Sequence, residues 1–341
     1  MMRMKHILRN VTLLALGACL AGACSKSGGE GVNEAARRYF DAWLAINYPS
    51  AVEKDGIYII DDKPGTGMEW RETLPVTFLT YTMRELNGSV QYNTDENWAK
   101  QLGEWSSTTY YGPQITLTGE KISYAGLDAI LEGMREGGVR TAIVPSWLMT
   151  YDRYDTLDEY LEHESSTSGT IYTIKFLGQT ANLAEHEYSQ MQAYSVKHWK
   201  VSDTLSTAGV FFKSHTEFPS DPVEMPSDTT VYINYIGRRI YDGQVFDTNI
   251  ADTAKYYGIY YPGKKYEPVS VTWAENATDI KMGSSSVVNG FAYGLHAMHA
   301  DESASFVFGY NLGYGSSGGT DKDLVPPYAA LRFDVDMVPA P

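Results

Sequence analysis

The chain repeats itself, and the repeat restricts the folds open to it more than any single motif does. Gly56-Ile57-Tyr58-Ile59 returns as Gly209-Val210-Phe211-Phe212, the run from Val76 to Tyr81 returns as Val231 to Ile236, and the hairpin signal Asn87-Gly88 returns as Asp242-Gly243. Gly56 and Gly209 stand 153 residues apart and Tyr81 and Tyr235 stand 154 apart, so the features keep register with one another, as duplicated units do. Leu127, Ile130, Leu131 and Met134 lie at i, i+3, i+4 and i+7 and predict an amphipathic helix that stops at Glu136-Gly137-Gly138, before a strand from Val139 to Val144. Phe291, Leu295 and Met298, followed by Ala304 to Phe308, repeat that pair of elements. Met134 and Met298 are 164 residues apart, so the second copy has gained about ten residues before its helix. Each copy closes on a strand of period two: Tyr172, Ile174 and Phe176 in the first, and Leu331, Phe333, Val335 and Met337 alternating with Arg332, Asp334 and Asp336 in the second. Short strands joined mostly by hairpins around one helix predict an α+β fold of two units, each a curved antiparallel sheet wrapped around one short helix.

A helix precedes each copy. Asn33 to Tyr48 carries Ala36, Tyr39, Phe40, Trp43, Leu44 and Ile46 at roughly helical spacing, with Asn33 as its cap and Pro49 as its stop. Ala184 to Lys200 repeats the pattern with Tyr188, Met191, Tyr194 and Trp199. Ahead of the first helix, Arg3, Lys5, His6 and Arg9 introduce an apolar run from Val11 to Leu20, too short for a permanent membrane span. It reads as an export signal, and its ending, Leu20-Ala21-Gly22-Ala23-Cys24, resembles a bacterial lipobox, which implies cleavage before Cys24 and acylation of that cysteine. The expected division is then a signal peptide over 1–23, a Gly/Ser-rich tether over 24–32, a first unit with its leading helix over 33–178, a linker helix over 179–204 and a second unit over 205–341.

Two composition facts narrow the function. Cys19 falls in the signal, which leaves Cys24 as the one thiol of the mature chain, so no internal disulfide is available and stability rests on burial. The formal charge of -15 opposes nucleic acid and electrostatic adhesion to anionic lipid, so membrane contact rests on the lipid at Cys24. No signal for an oligomeric state is present.

In the second copy five pieces follow one another over about 110 residues: Tyr235-Ile236-Gly237, Asp242-Gly243-Gln244-Val245-Phe246-Asp247, Val287-Val288-Asn289-Gly290-Phe291, Leu312-Gly313-Tyr314-Gly315, and Val325-Pro326-Pro327 leading to Leu331-Arg332-Phe333. In that order they resemble the FKBP-type peptidyl-prolyl cis-trans isomerases. The whole plan, a lipobox and two such units, is similar to the tandem FKBP-like lipoproteins of Bacteroidota. The resemblance implies two FKBP-like domains and places a proline pocket on Tyr235, Phe246, Asp247, Val287, Val288, Phe291, Tyr314, Leu324 and Phe333. Tyr235, Phe246, Asp247, Tyr314 and Phe333 carry the catalytic roles by this carry-over, and Val287, Val288, Phe291 and Leu324 bind substrate. Phe291 stands where most members have a tryptophan, and Thr278 is the nearest match to a further pocket aromatic. An insertion from roughly Ile250 to Ala277, rich in tyrosine, could rim the pocket or cover it.

Isomerisation of an Xaa-Pro bond needs no nucleophile, metal or cofactor. The amide must lose its resonance, over a barrier of about 18 to 20 kcal/mol. Its twisted form is less polar than the planar one, so an apolar, water-poor wall favours it selectively. The implied role is folding assistance to proline-containing exported polypeptides by an outer-membrane lipoprotein that faces the periplasm or the cell surface. The alternative is a non-catalytic FKBP-like chaperone or envelope scaffold. In the first copy Tyr81 matches, but the Phe-Asp piece becomes Tyr92-Asn93, the helix piece Ser123-Tyr124-Ala125-Gly126-Leu127, and the tyrosine loop Met149-Thr150-Tyr151. Polar substitutions in its apolar wall point to a unit for spacing, docking or holding client chains.

Four further patterns carry less. Gly313-Tyr314-Gly315-Ser316-Ser317-Gly318 spells a dinucleotide fingerprint but opens no helix. His296 and His299, three apart, lack a third metal ligand. The acidic stretch from Asp152 to Glu164 lacks the glycine of a calcium loop. Asp155-Thr156-Leu157, Asp203-Thr204-Leu205 and Asp252-Thr253-Ala254 look like O-glycosylation triplets, short enough to arise by chance.

Overall fold

The computed structural model describes residues 32–341, apart from 120–122, 155, 164–168, 206–208, 219–221, 223–224 and 322. The signal, the lipobox with Cys24 and the tether lie outside the described residues.

The first unit is a seven-stranded antiparallel sheet. Helix α1 (Val32–Asn47) leads into β1 (Val52–Lys54), β2 (Ile57–Lys63), β3 (Val76–Glu85) and β4 (Val90–Asn93). Then follow α2 (Glu96–Leu102), β5 (Gln114–Leu117), α3 (Ala125–Leu131), β6 (Val139–Pro145), α4 (Leu157–His163) and β7 (Gly169–Thr180). The strand order is β1-β2-β6-β7-β3-β4, with β5 also paired to β3. After the linker helix α5 (Leu183–Trp199) come β8 (Phe211–Ser214), β9 (Thr230–Arg239), β10 (Val245–Thr248), α6 (Ala251–Tyr256), β11 (Val269–Thr272), β12 (Lys281–Met282), β13 (Ser285–Ser286), α7 (Asn289–His296), β14 (Ser303–Phe308) and β15 (Leu331–Val338). The second sheet runs β13-β12-β11-β9-β15-β14-β8, with β10 on β9.

The two sheets have the same topology. The order β2-β6-β7-β3 in the first matches β8-β14-β15-β9 in the second, and β4 and β5 sit on β3 as β10 and β11 sit on β9. Register agrees to the residue: Tyr81 pairs with Ile174 as Tyr235 pairs with Val335, and Ile59 pairs with Ala142 as Phe212 pairs with Phe306. The β12–β13 hairpin has no counterpart among the described residues between β5 and α3 and accounts for the extra residues before the second helix. Gly56 and Gly209, which precede β2 and β8, both have positive φ, at 78° and 66°, a conformation that favours glycine.

Period two decides what each strand buries. On β15, Leu331, Phe333 and Val335 are buried while Asp336 is exposed. On β14, Phe306 and Phe308 enter the main core of the second unit, and Val307 points the other way onto Met191 of α5 and Phe211. Helix α5 thereby covers the outer face of the second sheet. It begins where the Asn182 side chain accepts the N–H groups of Ala184 and Glu185.

Several details differ from the sequence reading. Helix α1 leaves Tyr39 and Ile46 exposed, while Phe40 turns toward Tyr58. Each unit carries short helices besides the central one, among them α2, α4 and α6. The stretch that reads as an insertion contains β11, which pairs with β9 over four residues and belongs to the sheet itself. His296 closes α7 and directs its Nε2 to the Glu275 carbonyl, while His299 lies beyond the helix against Glu302, so the two imidazoles share no helix face. No cluster of three metal-ligating side chains occurs among the described residues, and no described helix is long and apolar enough to cross a membrane.

The units touch through Arg239, which is 2% exposed. Its guanidinium binds Asp242 through two nitrogens at 3.0 and 2.7 Å and donates to the carbonyls of Thr108, Asp323 and Leu324. It also stacks on the Tyr110 ring at 5.3 Å. A loop of the first unit is thus fastened to the turn that starts β10.

Candidate active site

The site is assembled on β9 and its neighbours. In the β9–β10 ladder Val245 pairs with Arg238 and Asp247 with Gly237, which leaves Phe246 as the extra residue of a bulge. A bulge re-aims consecutive side chains that a regular strand would send to opposite faces. Phe246 accordingly meets Phe333 edge-on at 5.7 Å, while Asp247 accepts the Tyr235 hydroxyl at 2.9 Å. Gly237 makes the approach possible: a Cβ there would lie 2.9 Å from both the Phe246 and Phe333 rings.

The floor is a packed group of phenyl rings. Phe291 lies 4.6 Å from Phe333 and 6.0 Å from Tyr235, and Phe333 stacks on Phe308 at 5.8 Å. Helix α7 can lie this close because two of its residues are glycine. A Cβ on Gly290 would sit 2.2 Å from Phe308, and one on Gly294 2.3 Å from Phe306. Val287 and Val288, just before the helix, and Leu324 are half-buried against the same core. Tyr314 closes one side, edge-on to Phe246 at 6.3 Å and 39% exposed. All nine residues carried over from the resemblance therefore belong to one region of the second unit. Thr278 does not: it is exposed, and Ile280 is the buried residue of that stretch.

Beside this floor is a cavity of about 290 Å³ lined by Phe246, Asp247, Leu324, Lys264, Tyr266 and Thr108 among others. The segment after α6 thus forms a wall of the cavity and leaves it open. The first unit contributes Thr108, which the Arg239 contact holds in place.

Three residues escaped the sequence reading. The Lys264 ammonium binds the free oxygen of Asp247 and lies 5.9 Å from the Tyr235 ring centre. Asn249 accepts the Tyr235 N–H at 2.8 Å and donates to the carbonyls of Ile233 and Glu267, pinning three segments together. Its position two residues after Asp247 was the available signal. Glu187 of α5 accepts the Tyr310 N–H at 2.9 Å and so anchors the loop that bears Tyr314. Lys264 and Glu187 reach the site from distant sequence and had no local signature.

Electrostatics follow burial. Burial, and then the Asp247 charge, raise the Tyr235 and Tyr314 phenols above their usual range, so both hydroxyls remain protonated donors. Burial also raises the Glu187 carboxyl to about 7, against a smaller opposing effect of the Tyr310 N–H.

The first unit departs from this site more than the sequence suggested. Met83 pairs with Tyr92 as Gly237 pairs with Asp247, and the bulge falls on Gln91. Tyr92 therefore occupies the place of Asp247 and Gln91 that of Phe246, one residue away from the alignment by sequence. Tyr92 even keeps the contact, with its ring 5.3 Å from that of Tyr81.

Residues 222–338 match the sequence model of the FKBP-type peptidyl-prolyl cis-trans isomerases. Among solved structures, the three FKBP domains of wheat FKBP73 align with 84% of this chain and 94% of that one, at 16% identity and a TM-score of 0.29. A peptidyl-prolyl cis-trans isomerase from Pseudomonas syringae pv. tomato aligns with 48% of this chain and 98% of that one, at 18% identity and a TM-score of 0.31. FkpA from Escherichia coli aligns with 46% of this chain and 58% of that one, at 25% identity and a TM-score of 0.31.

Proposed function

We propose that the FKBP-type domain in the C-terminal region isomerises Xaa-Pro bonds of exported polypeptides, and that the chain is held at a membrane by a lipid on Cys24. The observation that carries the reading is the convergence of Phe246, Phe291 and Phe333 with the Tyr235–Asp247 pair beside an open cavity. Phe246, backed by Phe333 and Phe291, offers the prolyl group an apolar wall together with Ile259 and Leu324. That wall stabilises the twisted amide more than the planar one, because the planar amide loses more hydration on entering. Tyr314, protonated and half-exposed at the edge, donates to a substrate carbonyl, and Asp247 keeps Tyr235 oriented. No proton moves and no covalent bond forms.

The test is a protease-free isomerisation assay on the chain from residue 25 onward, with an Xaa-Pro peptide and with Phe333→Leu as comparison. Acceleration that the variant loses supports the reading. A background rate from demonstrably folded protein rejects it and leaves the non-catalytic chaperone or scaffold role.

A further inference from the structure

The first unit holds a cavity of about 220 Å³ at the place where the second unit packs its phenyl rings. Its walls include Leu79, Met83, Leu127, Ile130, Met149 and Ile174, and among the described residues no charged side chain lines it. The equivalent positions explain the space. By strand register and helix position, Phe246, Phe291, Phe306, Phe308 and Phe333 are replaced by Gln91, Leu127, Ala142, Val144 and Tyr172. Met83 in place of Gly237 and Ile130 in place of Gly294 refill only part of the lost volume. Thr116, Tyr81, Tyr124 and Tyr172 are the polar residues of the lining. Around them, Tyr92 stands beside Tyr81, and Tyr151, largely exposed, beside Tyr124 at 4.5 Å.

We infer that this cavity is a second, distinct binding site, which takes an uncharged side chain of leucine, methionine or phenylalanine type from an extended polypeptide. An apolar cavity of about 150 Å³ already accepts a benzene molecule, so the larger space here suits a side chain bulkier than a pyrrolidine ring. The described lining offers no charge to offset the desolvation of lysine, arginine or a carboxylate, so it favours an apolar side chain. The phenols near the cavity are neutral and both donate and accept hydrogen bonds, which matches the N–H and C=O groups of a peptide on either side of the buried side chain. The Asp247 carboxylate and the Phe246 ring have no counterpart, so the site does not reproduce the one in the second unit.

The test uses the chain from residue 25 onward, labelled on its methionine methyls, because Met83 and Met149 line the cavity and report on it directly. Titration with N-acetyl-phenylalanine amide and N-acetyl-leucine amide should shift those two methyls saturably. N-acetyl-lysine amide and N-acetyl-proline amide should bind about tenfold more weakly or less. Leu127→Phe, which restores a ring where the second unit has Phe291, and Met149→Trp, which fills the space from another wall, should each weaken binding about tenfold without lowering the melting temperature. Unmoved methyls, equal response to the lysine or proline amide, unchanged binding in both folded variants, or response to toluene but not to the amides overturns the assignment. The isomerase assay reads the other unit, so the two proposals fail separately.

Discussion

Lys264 crosses from the tyrosine-rich segment to Asp247, occupying one carboxylate oxygen while the Tyr235 hydroxyl holds the other at 2.9 Å. The ion pair is part-exposed, so it contributes at most about 1 kcal/mol to stability. Its larger effect is a cation at the cavity wall. We expect Lys264→Ala to leave the melting temperature within about 2 °C and to reduce the preference for Glu-Pro over Leu-Pro peptides about threefold. Steady-state kcat/KM for the two peptides checks this, and an unchanged ratio removes Lys264 from substrate recognition.

Phe333 and Tyr314 separate packing from hydrogen bonding. Phe333 touches Phe246, Phe291, Phe306 and Phe308, so its truncation to alanine would cost about 3 to 5 kcal/mol and endanger the fold along with the site. Phe333→Leu preserves more of the packing and should reduce kcat/KM at least about tenfold, or about 1.4 kcal/mol of transition-state stabilisation. Tyr314→Phe, at the exposed edge, should lower kcat/KM only several-fold and hardly alter unfolding. Equal losses in the two variants would contradict the assigned roles.

The repeat was legible because it rests on local signals: hairpin glycines, period-two strands and a helix with period 3.6. The rings that pack around Phe333 were legible as ordered pieces. Residue type sets the aromatic Tyr92 against Phe246, one residue out of register, because both units carry the bulge at the same position, on Gln91 and on Phe246, and Gln91 does not resemble the residue it replaces. Its cavity was not foreseen either. That space depends on four ring losses, at Gln91, Leu127, Ala142 and Val144, set against two compensating gains, a volume balance across strands and a helix that no single segment encodes. Lys264, Glu187 and the Arg239 contact with Thr108 are tertiary pairings over 17, 123 and 131 residues, beyond the reach of pattern reading.

Gly237 provides a test of close packing in the site of the second unit. A methyl at this position would come within 2.9 Å of two rings, so Gly237→Ala should destabilise the unit by about 1 to 3 kcal/mol through overpacking. The first unit bears Met83 at the same register position because Gln91 there takes the place of Phe246. The variant should lose isomerase activity at temperatures where circular dichroism still shows it folded, since the ring pair must part to admit the methyl. Retained activity would mean that the Phe246–Phe333 contact is dispensable.

Glu187 makes the stability of the second unit depend on pH. Its carboxyl is buried and raised from 4.5 to about 7, because burial disfavours the charge more than the Tyr310 N–H favours it. Below about pH 4.5 the group is neutral in both folded and unfolded chains and carries no penalty. As pH rises from 4.5 toward 7 the unfolded chain ionises first, so stability is lost across that window and levels off above it. A shift of this size corresponds to about 3 kcal/mol. Glu187→Gln keeps an oxygen to accept the Tyr310 N–H and cannot ionise, so the variant should gain on the parent from nearly nothing at about pH 4.5 to about 3 kcal/mol at about pH 8. The neighbouring His186, whose pKa burial lowers, imposes the opposite slope. Being present in both proteins, it cancels in the difference. Urea unfolding at a series of pH values measures that difference directly, and a flat line would show that Glu187 enters the fold already ionised.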